Sequence, residues 1–260
     1  EHPAVDRHDH SSLRYVVYAG APMYREDQKL ALNKLGQVLV QFFGLGEVTC
    51  NVTVMTPSMH TVDDDDPEAR IGTCGIPRTG MEIAAFDAAG RRLGPGEQGE
   101  LCTRGPAVFA GYHNNPQATA EALKDGWFHT GDLGHVDAEG FVYITGRASD
   151  MYISGGSNIY PREIEEVLLI HPAVDEVAVL GVPDPKWGEA GVAVVVRAPG
   201  AEADQEELLA YLEGKIARYK MPRRVFLWDE VPKSGYGKVP KHLIRQQLFE
   251  RGDLVEGESV

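Results

Sequence analysis

The chain has 260 residues and a formal net charge of −14, which arises from 39 acidic and 25 basic side chains. A field of this sign repels a phosphate backbone, so nucleic acid is not an expected partner. The amino terminus lacks the features of a signal peptide, and no apolar run is long enough to form a transmembrane segment. We therefore expect a cytoplasmic protein, and the sequence leaves open whether it forms a homo-oligomer.

Thiols and clustered carboxylates raise the question of a metal site. Cys50, Cys74 and Cys102 are far apart and form no Cys-x-x-Cys pair, so neither a disulfide framework nor a zinc site is indicated. The acidic run at residues 63–66 lacks the alternating spacing and the glycine turn of a calcium loop. We expect buried, reduced thiols and a solvated acidic loop.

The first predicted elements form a β-α-β unit. Residues 13–18 are largely apolar and β-branched, residues 19–22 interrupt this strand, and leucines at helical spacing follow over about residues 25–36. A second apolar run covers residues 38–43 and ends at Gly44. This order predicts the edge of a mostly parallel sheet, where ligands bind beyond the carboxyl ends of the strands.

The pattern changes twice along the rest of the chain. Between about residues 72 and 145, short alternating runs separated by glycine and proline turns predict a β-rich subdomain. From residue 146 onward, strands and helices follow in the split β-α-β order of a small α+β domain. The sequence thus predicts two domains, 1–146 and 147–260. The elements predicted for the second are strand 151–153, helix 161–170, strands 177–182 and 192–197, helix about 205–217 and strand 225–228.

Two helices of the second domain carry start signals. Pro161 suits a first helical turn, because its missing N–H has no partner there in any helix. Asp204 followed by Glu207 makes a capping box for the second helix.

Clusters that combine glycines with polar or aromatic groups are candidates for ligand binding. Residues 19–22 would let the backbone approach a flat ring, and residues 41–47 offer an aromatic face, two glycines and the Glu47 carboxylate. The ordinary interpretation of the first cluster is a strand-to-helix turn, and that of the second is core packing of Phe42 and Phe43. The residues alone leave both interpretations open.

Two further clusters lie later in the chain. Asp132 follows a strand and a glycine, so it would accept hydrogen bonds from a ribose diol or, alternatively, cap a turn. Arg147 offers a planar donor fork near a strand that is followed by Gly155 and Gly156. The alternative there is a hairpin with a surface arginine.

A glycine-bracketed lysine loop lies between the last predicted strand and the last predicted helix. It contains Lys238 and is not a Walker loop, because Pro232 and Val239 stand where that motif needs glycine and a hydroxyl residue. A lysine on such a loop can neutralise charge that develops on a phosphoryl or carboxyl oxygen. A solvated lysine is the ordinary interpretation of any single lysine.

The order of these clusters resembles that of the AMP-forming adenylate synthetases, the family of acyl-CoA synthetases, peptide-synthetase adenylation domains and firefly luciferase. The resemblance covers essentially the whole chain and is of the acyl-CoA synthetase type. It implies an α/β and α+β fold, namely the end of a large adenylate-forming domain followed by a small mobile domain with a hinge near Ser149. The segments that carry it are Gly99-Glu100-Leu101, Gly111-Tyr112 with Pro116, Thr130-Gly131-Asp132-Leu133, Gly146-Arg147 through Pro161-Arg162-Glu163-Ile164-Glu165, and Gly237-Lys238.

The resemblance implies an ATP site. Glu47 would hold Mg²⁺, and Asp132 together with Arg147 would bind the ribose hydroxyls. The adenine pocket would be lined by Gly20, Ala21 and Pro22. Phe43 would stack on the adenine ring, at a position where the family usually has tyrosine.

The resemblance also implies the catalytic residue and a coenzyme A site. Lys238 would bridge the carboxylate and the α-phosphate during adenylation. Rotation about Ser149 would then withdraw Lys238 and bring the strand at Gly155 and Gly156 against the pantetheine arm. The coenzyme A nucleotide would contact Trp187, Tyr219, Lys220 and Arg223, and Trp187 beside Lys186 also has the chemistry of a stacking surface.

The reaction implied is the ATP-dependent activation of a carboxylic acid and its transfer to coenzyme A. A fatty acid is expected, and an aryl acid is the alternative. Gly46 stands where the family usually has threonine, and Ser149 replaces the usual aspartate or lysine at the hinge. No glycine-rich phosphate loop precedes residue 19, so we expect a truncated chain that does not complete the reaction alone. Two alternatives stay open: an adenylating enzyme that delivers its acyl group to a carrier protein or to water, and a non-catalytic module with this fold.

Overall fold

The computed structural model describes residues 4–20, 23–49, 52–233, 239–255 and 257–260. The chain divides into two compact units, Glu1–Thr145 and Gly146–Val260, called the first and the second unit below. Ala21, Pro22 and Lys238 lie outside the described residues, so the roles implied for them stay predictions. No helix in the described part of the chain combines the length and the hydrophobicity that a membrane span requires.

The first unit opens with the predicted β-α-β order, as β1 (Val16–Ala19), α1 (Arg25–Leu35) and β2 (Leu39–Phe43). β1 and β2 are parallel. β3 (Thr53–Met55) and β4 (Ile76–Pro77) extend the sheet by antiparallel pairing, in the order β1-β2-β3-β4. This sheet edge therefore joins one parallel pair to two antiparallel pairs.

The rest of the first unit is the predicted β-rich region. Its strands are β5 (Glu82–Phe86), β6 (Gly99–Arg104), β7 (Leu123–Lys124), β8 (Trp127–Val136) and β9 (Val142–Arg147). They form a five-stranded sheet in the order β5-β6-β8-β7, with β9 paired to β8. A helix that was not predicted from the sequence, α2 (Pro116–Ala122), begins after Asn115, whose side chain accepts a hydrogen bond from the Ala118 N–H.

The second unit is an α+β domain built on one five-stranded sheet. The strands of this sheet are β10 (Tyr152–Ser154), β11 (Ser157–Ile159), β12 (Val174–Asp184), β13 (Gly188–Arg197) and β14 (Arg224–Trp228). The sheet has the order β11-β10-β13-β12, and β14 pairs with β13 in parallel. The helices of the unit are α3 (Pro161–Leu169), α4 (Gln205–Leu212) and α5 (Lys241–Glu250). Short 3-10 helices in the two units are Val5–Arg7, Gly46–Val48, Pro57–Met59 and Arg218–Lys220.

Alternate residues of β12 and β13 pack into two separate apolar clusters, one on each face of this sheet. Val179 and Val195 pack with α3 and α4, whereas Leu180 and Val194 pack with α5. Because both faces are covered, the central strands read as continuous apolar runs, which is the pattern of a doubly buried sheet.

The second predicted helix begins where expected but ends early. Asp204 is its N-cap, and its side chain accepts a hydrogen bond from the Glu207 N–H at 2.9 Å. The prediction of a helix to about residue 217 is wrong, because α4 ends at Leu212. Gly214 follows with a φ of 74°, a left-handed conformation that ends helices. Ile216, which suggested a longer helix, packs against the core from the following turn.

Candidate functional site

Asp132 lies in a β-bulge of β8, in which residues 130–132 face the single residue Leu101 of β6. Gly131 has a φ of 72°, which glycine adopts without strain, and this explains a glycine at the centre of the bulge. The Thr130 hydroxyl donates to the Leu101 carbonyl at 2.6 Å and accepts from the Asp132 N–H at 3.0 Å. The Thr-Gly-Asp order therefore fixes the backbone that carries Asp132, a buried residue.

Glu100 holds this bulge from the neighbouring strand. Its Oε1 accepts a hydrogen bond from the Gly131 N–H at 3.1 Å, and its Oε2 lies 2.7 Å from His129 Nδ1. The sequence analysis noted Glu100 within a family segment but assigned it no role. Its partners lie about thirty residues away in sequence, so only the pairing of β6 with β8 reveals them.

Cys102 joins Glu100 and His129 in a group of three potential metal ligands. Its Sγ lies 3.4 Å from His129 Nδ1, the same nitrogen that contacts Glu100. Burial, with a contribution from the Glu100 charge, raises the pKa of the Cys102 thiol to about 12. We interpret the group as a hydrogen-bond network that supports the bulge, in line with the buried thiol predicted here.

Gly20 and Phe43 lie at the same edge of the first sheet, because Ala19 pairs with Phe42 in the parallel strands β1 and β2. Gly20 has a φ of 86°, and a Cβ on it would meet no described atom within 4 Å, so the backbone is accessible there. Phe43 is partly buried and packs against an apolar cluster that includes Leu101. The ring thus contributes to core packing, and its stacking on adenine stays a prediction.

Glu47 lies in the 3-10 helix Gly46–Val48 and is partly exposed. Its Oε1 accepts a hydrogen bond from the Tyr112 hydroxyl at 2.9 Å, and its carbonyl accepts one from the Phe109 N–H at 2.7 Å. Burial and the Glu47 carboxylate together raise the pKa of Tyr112. A single, partly exposed carboxylate suits a Mg²⁺ ion that takes its other ligands from phosphates and water.

The backbone at residue 46 does not require glycine. A Cβ built on it meets no described atom within 4 Å, and its φ is not positive. A methyl side chain would therefore fit at position 46, where the family usually has threonine, without displacing a described neighbour.

Arg147 is the exposed last residue of β9, at the junction of the two units. Its carbonyl accepts hydrogen bonds from the N–H groups of Asp150 and Met151, both at 3.1 Å, which closes a turn around Ser149. The Ser149 hydroxyl donates to Asp150 Oδ1 at 3.3 Å. A pivot near Ser149, and a ribose bound jointly by Arg147 and Asp132, stay predictions.

Gly155 and Gly156 form the two-residue turn between β10 and β11. Their φ values are 56° and 82°, as a hairpin with this loop length requires. The Gly155 N–H donates to the Trp187 carbonyl at 2.9 Å. A Cβ on Gly155 would lie 2.8 Å from Trp187 Cε3, so glycine is needed both for the turn and for the ring beside it.

The Trp187 ring is 37% exposed and lies close to two cations. Lys186 Nζ and Arg223 Cζ each lie 5.1 Å from its centroid. An aromatic surface flanked by two cations has the chemistry to bind a purine ring that carries phosphates. The structure thus brings together Gly155, Trp187 and Arg223, three of the residues that the sequence analysis singled out.

Lys220 and Tyr219 make different contacts from those of Trp187. Lys220 Nζ forms an ion pair with Glu163 at 2.6 Å and lies 5.6 Å from the Tyr219 ring centroid. Burial opposes the charge of Lys220, but the Glu163 carboxylate outweighs this effect and raises its pKa. A phosphate that binds Lys220 has to compete with Glu163, whereas Tyr219 is 56% exposed and accessible.

Asp184 is a residue near the Trp187 ring that the sequence analysis missed. Its Oδ1 accepts hydrogen bonds from the N–H groups of Lys186 and Trp187, both at 2.9 Å. Its Oδ2 accepts from the Ser259 hydroxyl at 2.9 Å and from the Val260 N–H at 3.2 Å. Burial opposes ionisation, but these hydrogen bonds lower the pKa of Asp184 below its ordinary value. An aspartate two residues before a turn N–H is the signal that could have revealed it.

Comparisons with known proteins match both units. The family model described as "AMP-binding enzyme" matches residues 1–113, and the one described as "AMP-binding enzyme C-terminal domain" matches residues 163–238. The feruloyl-CoA synthase of an Amycolatopsis species is 41% identical over 247 residues, which are 95% of this chain and 49% of the relative. A medium/long-chain-fatty-acid–CoA ligase of Mycobacterium tuberculosis is 37% identical over 257 residues, covering 96% of this chain and 44% of the relative.

A solved structure agrees with these relatives. The amide bond synthetase McbA from Marinactinospora thermotolerans superposes with a TM-score of 0.86 at 37% identity, over 95% of this chain and 49% of that protein. The chain thus spans about half the length of the curated relatives it matches. The two family models, the identities and the shared fold lead to one conclusion: the chain belongs to the AMP-forming adenylate synthetase family.

Proposed function

We propose that the complete protein that contains this chain is an ATP-dependent, AMP-forming acyl-CoA synthetase. The observation that carries this proposal is the exposed Trp187 ring, flanked by Lys186 and Arg223 and packed beside Gly155. This arrangement suits the adenine and phosphates of coenzyme A as the acyl acceptor. Membership of the adenylate synthetase family supports the preceding activation step.

In the first step, an oxygen of the substrate carboxylate attacks the α-phosphorus of ATP and pyrophosphate leaves. The product is an acyl adenylate, in which AMP is a far better leaving group than oxide. Negative charge moves onto the α-phosphate oxygens as the new bond forms, and Lys238 neutralises it. Asp132, held in its bulge, accepts hydrogen bonds from the ribose hydroxyls. Arg147 donates hydrogen bonds to the oxygens of the same hydroxyls.

The nucleotide base lies at the edge of the first sheet in this proposal. Gly20, Ala21 and Pro22 line the adenine ring, and Phe43 contributes its face where the strand ends. The accessible backbone at Gly20 supports this placement. Glu47 holds Mg²⁺, which supplies positive charge to the phosphates when it is bound.

In the second step, the thiolate of coenzyme A attacks the acyl carbonyl carbon and AMP leaves, which gives the thioester. Trp187 stacks on the coenzyme A adenine, and Arg223 contacts its phosphates. Tyr219 and Lys220 extend this surface, and Lys220 exchanges Glu163 for a phosphate. The Gly155-Gly156 turn, which carries no side chains, leaves room for the pantetheine arm.

A fatty acid is the substrate predicted from the sequence, and the curated relatives named above are named for different acids, ferulic and medium- or long-chain fatty acids. Cytoplasmic location and oligomeric state stay predictions. A different acceptor is the second candidate, because the similar solved structure is an amide bond synthetase.

A panel of carboxylic acids separates these alternatives. The complete protein is incubated with ATP, Mg²⁺ and each acid, with coenzyme A, an amine, a carrier protein or no acceptor, and AMP and the acyl product are measured. We expect AMP formation that depends on the acid and on coenzyme A, with a thioester as product. An amide or acyl-carrier product would select the other acceptors, and no acid-dependent AMP with any acceptor would reject an adenylating enzyme.

A further inference from the structure

Lys241 stands at the first position of α5, an unusual place for a cation. The amino-terminal end of a helix carries partial positive charge, so a lysine in the first turn is unfavourable unless a negative group compensates it. Glu165 provides this group, since Lys241 Nζ lies 2.6 Å from Glu165 Oε1. No acidic residue occupies the first turn of α5 itself, so the compensation comes from another element.

Glu165 is fixed by a second contact. It is a buried residue of α3, and its Oε1 also accepts a hydrogen bond from the Val179 N–H of β12 at 2.8 Å. The carboxylate is therefore held between a helix and the central sheet of the second unit. A buried charge in this position keeps its partner close, because separation would leave the charge without compensation.

Apolar contacts hold the body of α5 on the sheet. Ile244 and Leu248 of α5 are fully buried in the apolar cluster on that face, and they fasten the body of the helix. The pair between Lys241 and Glu165 acts at the first residue of the helix, beyond these contacts. The pair therefore holds Lys241, the residue at which the preceding loop ends, in a fixed position.

Lys238 lies three residues before Lys241 in this loop. An extended chain spans about 3.5 Å per residue, so the Cα of Lys238 stays within about 10 Å of the Cα of Lys241. At the other end of the loop, Lys233 pairs with Glu176 at 2.7 Å, but Lys233 is half exposed and five residues from Lys238. The pair between Lys241 and Glu165 is thus the nearer and more buried of the two anchors.

We propose that Glu165 and Lys241 are positioning residues for Lys238 in the adenylation step. The proposal rests on the proposed function, in which Lys238 acts on the α-phosphate. Glu165 and Lys241 touch neither substrate, and they act by limiting the positions from which Lys238 reaches the reacting oxygen. A small displacement of such a group from its productive geometry is enough to slow the chemical step strongly.

The test uses variants of the complete protein and separates the two half-reactions. Lys241→Met and Glu165→Gln remove the ion pair, and the glutamine keeps an acceptor for the Val179 N–H. We expect acid-dependent pyrophosphate release to fall by about 10- to 100-fold in kcat. Thioester formation from a supplied acyl adenylate should stay close to that of the parent protein, which also shows that the variants are folded.

Two further variants serve as controls. Lys241→Arg keeps the charge and should restore most of the adenylation rate, and Lys233→Met removes the exposed pair at the other end and should have a smaller effect than Lys241→Met. Equal loss of both half-reactions in Lys241→Met and Glu165→Gln, or no loss of adenylation, would overturn the proposal. A variant that does not fold is replaced by Glu165→Asp, whose shortened reach weakens the pair and must still slow adenylation alone.

Lys238→Ala, measured in the same assays, distinguishes this proposal from the proposed function. Loss of adenylation in Lys238→Ala without loss in Glu165→Gln rejects the positioning role alone. Full adenylation in Lys238→Ala rejects the catalytic role of Lys238 on which the inference rests.

Discussion

Replacing Gly155 by alanine would place a methyl group 2.8 Å from Cε3 and 3.2 Å from Cζ3 of the Trp187 ring. Carbon atoms pack at about 3.5–4.0 Å, so the ring or the turn has to move by roughly 0.5–1 Å. The same substitution also forces a residue with a Cβ to adopt a φ of 56°, which costs about 1–2 kcal/mol. Overpacking adds about 1–3 kcal/mol, so we expect a loss of about 2–5 kcal/mol in stability.

Gly156→Ala is the matched control for this variant. Gly156 has a φ of 82°, so alanine meets the same backbone strain, but its Cβ would find no described atom within 4 Å. We expect a loss of about 1–2 kcal/mol for Gly156→Ala, from the backbone alone. The difference between the two variants therefore isolates the contact between Gly155 and Trp187.

Two quantities are compared between Gly155→Ala and Gly156→Ala in the complete protein: the stability towards urea and the KM for coenzyme A. Stacking of a base on an aromatic ring contributes about 1–3 kcal/mol, so a displaced Trp187 should raise the KM for coenzyme A by about 10-fold or more. Gly156→Ala should raise it less, and neither variant should change the KM for ATP. Equal effects of Gly155→Ala and Gly156→Ala on both quantities would refute the reasoning.

Three other predictions follow from the site. A Cβ at residue 46 meets no described atom within 4 Å, so Gly46→Thr should keep the thermal stability and raise the adenylation rate by up to about 10-fold through one added hydrogen bond; a slower or less stable variant would contradict this. Glu100→Ala leaves the Gly131 N–H without its carboxylate partner, so it should raise the KM for ATP and lower stability by about 1–3 kcal/mol, as ATP titration and urea unfolding would show. The lowered pKa of Asp184 means that its stabilising effect is complete above the ordinary value of 3.8 and is lost as the pH falls through the lowered value, so Asp184→Asn should flatten the acid limb of unfolding. Asp184→Ala also removes the acceptor of the Trp187 N–H, so it should change the fluorescence of Trp187.

Local signals in the sequence predicted those parts of the fold that depend on a few neighbouring residues. The N-cap role of Asp204 is confirmed, because its donor, the Glu207 N–H, lies three residues away. The other half of the predicted capping box is not seen, since the Glu207 carboxylate lies 3.4 Å from His171 Nε2. Pro161 begins α3 for an equally local reason, the absence of an N–H that the first turn leaves without a helical partner. The end of α4 was not predictable from the apolar stripe, since Ile216 packs against the core from outside the helix.

Contacts between distant residues could not be read from the sequence in the same way. Glu100 reaches Gly131 only because β6 pairs with β8 and β8 is bulged, and Lys241 reaches Glu165 across 76 residues of sequence. Each residue by itself is an ordinary charged residue at a strand or helix end. Their roles depend on register and on helix placement, which the tertiary structure alone determines.

The adenylation role of Lys238 is the central claim, and one measurement tests it most directly. The two half-reactions of the complete protein are compared before and after Lys238→Ala: acid-dependent pyrophosphate release, and thioester formation from a supplied acyl adenylate. We predict that the first collapses by about 100-fold or more, since a charge that stabilises the transition state is lost, whereas the second is largely kept. Equal loss of both half-reactions, or full pyrophosphate release by Lys238→Ala, would contradict the account.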